Sequence, residues 1–233
     1  MELEPFVFSH EGVLVGMREH PSSSVDGEDV TGGVNRFALR PLKPEEFVVF
    51  TLDLCHNQVD RHFSRFPEEE LEKINRMVPG RPLMERHDLR GTLPRGTFFR
   101  SGLHRDGERL CVRPDVYVLR TKDNADFILN IEGGVYRETS IGFSFRTPEC
   151  SVCGRDLRTC DHVPGRSYGE AVCHYVMREV IDVIEGSVVP SGSQGTGFVA
   201  QERAQSLAKA LDNARQLQHR PIELWTKRLW EEE

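Results

Sequence analysis

Along the chain, apolar and polar positions alternate or recur in short blocks, and few blocks are long. The run 47–52, FVVFTL, is apolar enough to predict a buried strand. A helix is predicted over 67–78, PEEELEKINRMV: Leu71, Ile74 and Val78 recur at spacings of three and four, acids fill the first turn, and Pro67 suits a first helical position. The PGRP that follows stops it. Strands are predicted over 96–103, 109–119 and 139–145, with Asp106-Gly107 turning the first into the second. Residues 124–134 read as a short helix ending at Gly133-Gly134, and 171–190 as a final pair of strands. Strands and helices do not alternate regularly, so a doubly wound parallel sheet is not expected. The fold class predicted is α+β and β-dominated, a sheet or barrel covered by helices.

Three regions differ in character. Residues 1–37, rich in Gly, Ser and acids, read as an N-terminal arm or loop, and 38–199 as the main domain. Beyond the Gly/Ser-rich link at 190–197, residues 200–233 read as a helical tail, with Leu207, Leu211 and Leu217 on its apolar positions and Pro221 breaking it. The longest apolar runs fall far short of the ~20 residues that span a bilayer. The acidic opening MELEPFVFSHEG lacks the apolar run of a signal peptide, so the chain is expected in the cytoplasm. A net charge of −7 argues against broad nucleic-acid binding.

The six cysteines cluster toward one region, which in a cytosolic chain points to metal rather than disulfides. Cys150-x2-Cys153-x6-Cys160-x-His162 has the ligand types and spacing of a closed tetrahedral zinc site, with Gly154 turning the chain after the second thiol. No open coordination position is suggested, so the zinc is expected to be structural, in an insert over 146–170. Cys173 and His174 are spare candidates, assigned to the core.

Among the nine histidines, His10, His20 and His219 lie in polar segments, His104 in a turn, and His56 and His62 are read as surface residues. His87 follows the apolar pair Leu83-Met84, at the edge of the core, where a general base must sit. Thr139 and Ser140 open the strand IGFS straight after Arg137 and Glu138, an unusual polar start.

In PLMERHD (82–88), RETSIGFSF (137–145) and REVIDVIEGSVVPSGSQGTG (178–197), with the lead-in NQVDRHFSRFPEEELEKI (57–74), the chain resembles the prohead maturation proteases of tailed phages. These share the assemblin-type serine protease fold of herpesviruses. The resemblance covers roughly residues 45–199 and implies a triad: Ser140 as nucleophile, His87 as base and Glu185 as the acid that orients it. Asp182 and Glu179 stay open for the third role, because a register shift of the closing strand changes which acid faces inward. Backbone N–H groups near Ser140 would form the oxyanion hole, and Gly142 would let a substrate backbone approach. The cysteine insert departs from the family's simple layout.

The function implied is a serine endopeptidase inside a viral procapsid in the host cytoplasm. It would cleave scaffold and major-capsid-protein segments, and itself, and act as a homo-oligomer, with no membrane or nucleic-acid partner expected. Two other readings remain: a catalytically inactive capsid-assembly protein of the same fold, and a zinc-knuckle protein that binds nucleic acid.

Overall fold

The computed structural model describes Phe6–Val7 and residues 29–199. The chain divides into two units, Met1–Val199 and Ala200–Glu233. The expected helical tail, and the arm apart from Phe6–Val7 and residues 29–37, lie outside the described residues.

The described part is α+β and dominated by strands, with a sheet that curls into a half-barrel. In chain order the elements are β1 (Phe6–Val7), α1 (Val30–Asn35), β2 (Phe47–Thr51), β3 (Cys55–His56), β4 (Ser64–Arg65), α2 (Glu68–Met77), β5 (Pro82–Glu85), β6 (Gly96–Asp106) and β7 (Arg109–Leu119). There follow α3 (Ala125–Glu132), β8 (Glu138–Cys150), β9 (Ser167–Tyr168), β10 (Ala171–Val172), β11 (Tyr175–Val189) and β12 (Thr196–Gly197). The main sheet runs β1-β8-β11-β5-β6-β7-β2, with β12 on β8, β3 on β7 and β4 on β11. No helix among the described residues is long and apolar enough to cross a membrane.

The expected helix over 67–78 forms with Pro67 as its N-cap rather than its first helical residue. Leu71, Ile74 and Val78 are fully buried, as their spacing requires. They join Phe66, Phe98, Phe145 and Leu83 in the main core. The hairpin β6–β7 closes between Asp106 and Arg109, so its two loop residues are Gly107 and Glu108, with Gly107 at φ 56°.

Two expectations over the described residues are corrected. The stretch 171–190 is not a strand pair but one fifteen-residue strand, β11, preceded by the two-residue β10. Its buried and exposed positions alternate only in part, and it lies inside the sheet, between β8 and β5. The arm assigned to 1–37 includes α1, which Asp29 caps by accepting from the Thr31 and Gly32 N–H groups. Val34 of α1 packs with Leu42, Phe47, Phe99 and Tyr117 in a second, smaller core.

Candidate functional site

The site is built on the antiparallel ladder of β8 with β11. Tyr175 lies opposite Cys150 at one end and Ser187 opposite Ser140 near the other. Between them the register shifts twice, between Val180 and Asp182 and between Val183 and Glu185. Each bulge inserts a residue into β11. The result sets Glu185 opposite Gly142, with Val183, Glu185 and Ser187 all fully buried. The first bulge is held from outside: the buried Glu70 of α2 accepts the N–H groups of Glu179 (3.1 Å) and Val180 (2.9 Å) and binds Lys73 Nζ (2.7 Å).

On its other side β11 pairs with β5 in parallel, Ser187 opposite Met84 and Val188 opposite Glu85. Immediately past β5, Arg86 and His87 both take left-handed backbone conformations, φ 56° and 58°. The Arg86 N–H is held by the Val188 carbonyl at 2.9 Å. This sharp turn brings the His87 side chain back over β11. Its Nδ1 lies 2.5 Å from Glu185 Oε1, and its backbone N–H donates to Ser187 Oγ at 3.0 Å. The Ser187 hydroxyl donates in turn to Glu185 Oε2 at 2.5 Å. With Glu185 Oε1 as the acceptor, Nδ1 is the donor of the pair, which leaves Nε2 facing away from the acid as an acceptor. A quarter of the His87 side chain is exposed, while Glu185 is sealed.

Gly142 makes this geometry possible. A Cβ on it would stand 2.1 Å from Glu185 Oε1. The glycine therefore serves the approach of the acid, not the approach of a substrate backbone as its sequence position suggested.

Ser140 and His87 line one cavity of about 280 Å³, together with Phe66, Phe143, Tyr175 and Met177. His62 reaches the same cavity and is exposed. Among the described residues no hydrogen bond joins the Ser140 hydroxyl to the imidazole. Thr139, the other polar residue at the start of the strand, is structural: its Oγ1 donates to the Asp53 carbonyl at 2.7 Å and its own carbonyl accepts from Thr196 Oγ1. On the edge of β8 away from β11, β12 covers Glu138 and Thr139, and β1 covers Ser144 and Phe145.

The two other acids left open for the third role are engaged elsewhere. Asp182 pairs with Arg81, and Glu179 binds Thr147 and Arg146.

His56 corrects the sequence reading. It is buried, not a surface residue: Nδ1 accepts from the Gln58 N–H, so Nε2 donates to the Gln194 carbonyl at 2.8 Å. Burial lowers its pKa below the ordinary histidine value. It thereby ties down the segment 193–196 that forms one wall of the cavity.

At the opposite end of the ladder, the donor atoms of Cys150, Cys153, Cys160 and His162 all lie within 4.8 Å of one another. The strand β8 runs through to Cys150, so the insert begins at Ser151, later than the expected 146. A tight turn presents the first two thiols: the Gly154 N–H donates to the Cys150 carbonyl, and the Cys150 N–H to the Arg155 carbonyl. The Arg155 N–H holds the Cys153 thiol down at a pKa of about 6, which favours the thiolate a metal needs. His162 Nδ1 is buried with no hydrogen-bond partner. A sealed, unsatisfied nitrogen beside three thiols fits a metal site, and the cluster could hold an ion such as zinc.

Sequence reasoning missed Ser187, Glu70 and the buried state of His56. Ser187 carried a signal, since it stands two residues after Glu185 and thus on the same face of a strand. Glu70 carried none, because its partners lie about a hundred residues away on β11. Comparisons with family models, with curated proteins and with solved structures found no match to this chain.

Proposed function

We propose that the protein is a serine endopeptidase with an assemblin-like fold that acts in a viral procapsid. Its substrates would be segments of scaffold and major capsid protein. The observation that carries this reading is the 2.5 Å contact of His87 Nδ1 with the sealed Glu185, facing the cavity that Ser140 also lines. In this mechanism Ser140 Oγ attacks the scissile carbonyl while His87 Nε2 takes its proton and later gives it to the leaving amine. Glu185 holds the imidazole in the Nδ1–H form and stabilises the imidazolium, and Ser187 fixes the carboxylate. The metal cluster has a structural part in this scheme and takes no step in the chemistry.

The test is intact mass over time for the wild type and Ser140→Ala, each co-expressed with the capsid and scaffold proteins of its genome. Products that form only with the wild type support the proposal. Uncleaved masses in both, from well-folded chains, would move the assignment to a catalytically silent assembly protein of the same fold.

A further inference from the structure

The metal cluster has a fifth donor beside it. Cys173 Sγ lies 4.0 Å from Cys150 Sγ. Two thiolates bound at about 2.3 Å to one tetrahedral zinc stand about 3.8 Å apart, so this separation is close to the span of a shared ion. Cys173 is fully buried and Cys150 nearly so. Both are fixed by backbone rather than by side-chain packing alone. The Cys173 N–H donates to the Arg166 carbonyl, and the Gly165 N–H to the Cys173 carbonyl. These bonds continue the β9–β10 pairing, in which Val172 lies opposite Ser167, and so hold Cys173 just before β11.

We propose that Cys173 is a metal ligand, and that the ion is held by the four thiolates of Cys150, Cys153, Cys160 and Cys173, with His162 beside them rather than on the metal. Soft thiolates complete a closed structural zinc site, and a buried thiol with only weak sulfur contacts gains a strong partner there. The His162 nitrogen is then satisfied by donating to a metal-bound thiolate, the outer-shell role that such sites use to orient and neutralise their ligands.

This assignment gives the metal a mechanical role that the set ending in His162 does not. Cys150 closes β8, and Cys173 lies two residues before Tyr175, the residue paired with Cys150. An ion joining them clasps the two strands at the root of the insert and fixes their register at the end away from Ser140. That function does not depend on any chemistry at Ser140.

Zinc K-edge absorption fine structure of the wild-type protein, purified from zinc-supplemented medium, tests the proposal directly. Four sulfur scatterers at about 2.3 Å with no nitrogen shell are expected. Three sulfurs with one nitrogen at about 2.0 Å, or protein that carries no zinc, would overturn it. Cobalt substitution gives the second measurement. His162→Ala should keep the wild-type ligand-field spectrum and bind cobalt within about threefold of wild type. Cys173→Ser should lose the four-thiolate spectrum or fail to retain metal. A changed spectrum in His162→Ala with an unchanged one in Cys173→Ser would also overturn it.

Discussion

Replacing Gly142 by alanine should disable the site without touching any of its reacting groups. The added Cβ would stand 2.1 Å from Glu185 Oε1 and 3.0 Å from its carboxyl carbon. An ordinary carbon–oxygen contact needs about 3.3 Å, so the carboxylate must retreat by about 1 Å. It cannot do so freely, because Glu185 is sealed and both oxygens are engaged, one by His87 and one by Ser187. A displacement of this size in a catalytic contact costs on the order of 100-fold in rate. Crowding in a packed interior adds about 1–3 kcal/mol of destabilisation. The assay is the rate at which a fluorophosphonate, which labels activated serines, phosphonylates Ser140, followed by intact mass beside a thermal melt. We expect Gly142→Ala to label about 100-fold more slowly than wild type while remaining folded, close to the rate of Glu185→Gln. Shortening the acid should recover part of the loss, so Gly142→Ala/Glu185→Asp should label faster than Gly142→Ala alone. A folded Gly142→Ala that labels at the wild-type rate would refute the argument that this glycine and this acid act as a unit.

Three further outcomes follow from the same geometry. Ser187→Ala removes a donor to Glu185 and an acceptor for the His87 N–H; we expect it to lower stability by about 1–3 kcal/mol in urea titration and slow labelling about tenfold. Glu70→Gln should cost about 1–3 kcal/mol, because the first bulge of β11 loses a charged acceptor for two N–H groups; an unchanged urea midpoint would remove α2 from the account of the register. Because burial lowers the pKa of His56, the unfolded chain binds its proton more readily than the folded one, so this histidine's contribution is complete above about pH 6.5 and is lost as pH falls below it. Asp53, Asp60 and Arg109 act on the same ring, so the comparison is of melting curves from pH 7.5 to 5.5 for wild type and His56→Gln, whose slope should be shallower.

Periodicity revealed the parts of the fold whose neighbours are close in sequence. The helix around Leu71 and Ile74, the hairpin at Gly107 and the strand beginning beside Ser140 each had a local repeat or turn signal. The long strand β11 was mistaken for two because its buried positions do not keep the two-residue alternation that would mark its continuity. Its bulges left no trace in composition, yet they determine that Glu185, and not Asp182 or Glu179, comes to His87. That acid was favoured by a family resemblance, while the residues alone left three candidates. The cysteine spacing made the cluster visible, and Cys173 stood beside it as a spare candidate, assigned to the core because a buried thiol in an apolar run reads that way. Gly142 was noticed for the wrong neighbour: sequence marks a glycine, but not the side chain that needs its empty space.

The parallel pairing of β5 with β11 also governs when the site can exist during synthesis. His87 and Glu185 are separated by 98 positions in the chain, and a contact that distant forms only after the intervening segment has been ordered. The nascent chain exposes His87 early and Ser140 later, but β11 is not complete until Val189 has left the ribosome. Until then the imidazole has no acid to orient it and the left-handed turn at Arg86–His87 has no Val188 carbonyl to hold it. The order of translation thus delays the contact of His87 with Glu185 until β11 has been made.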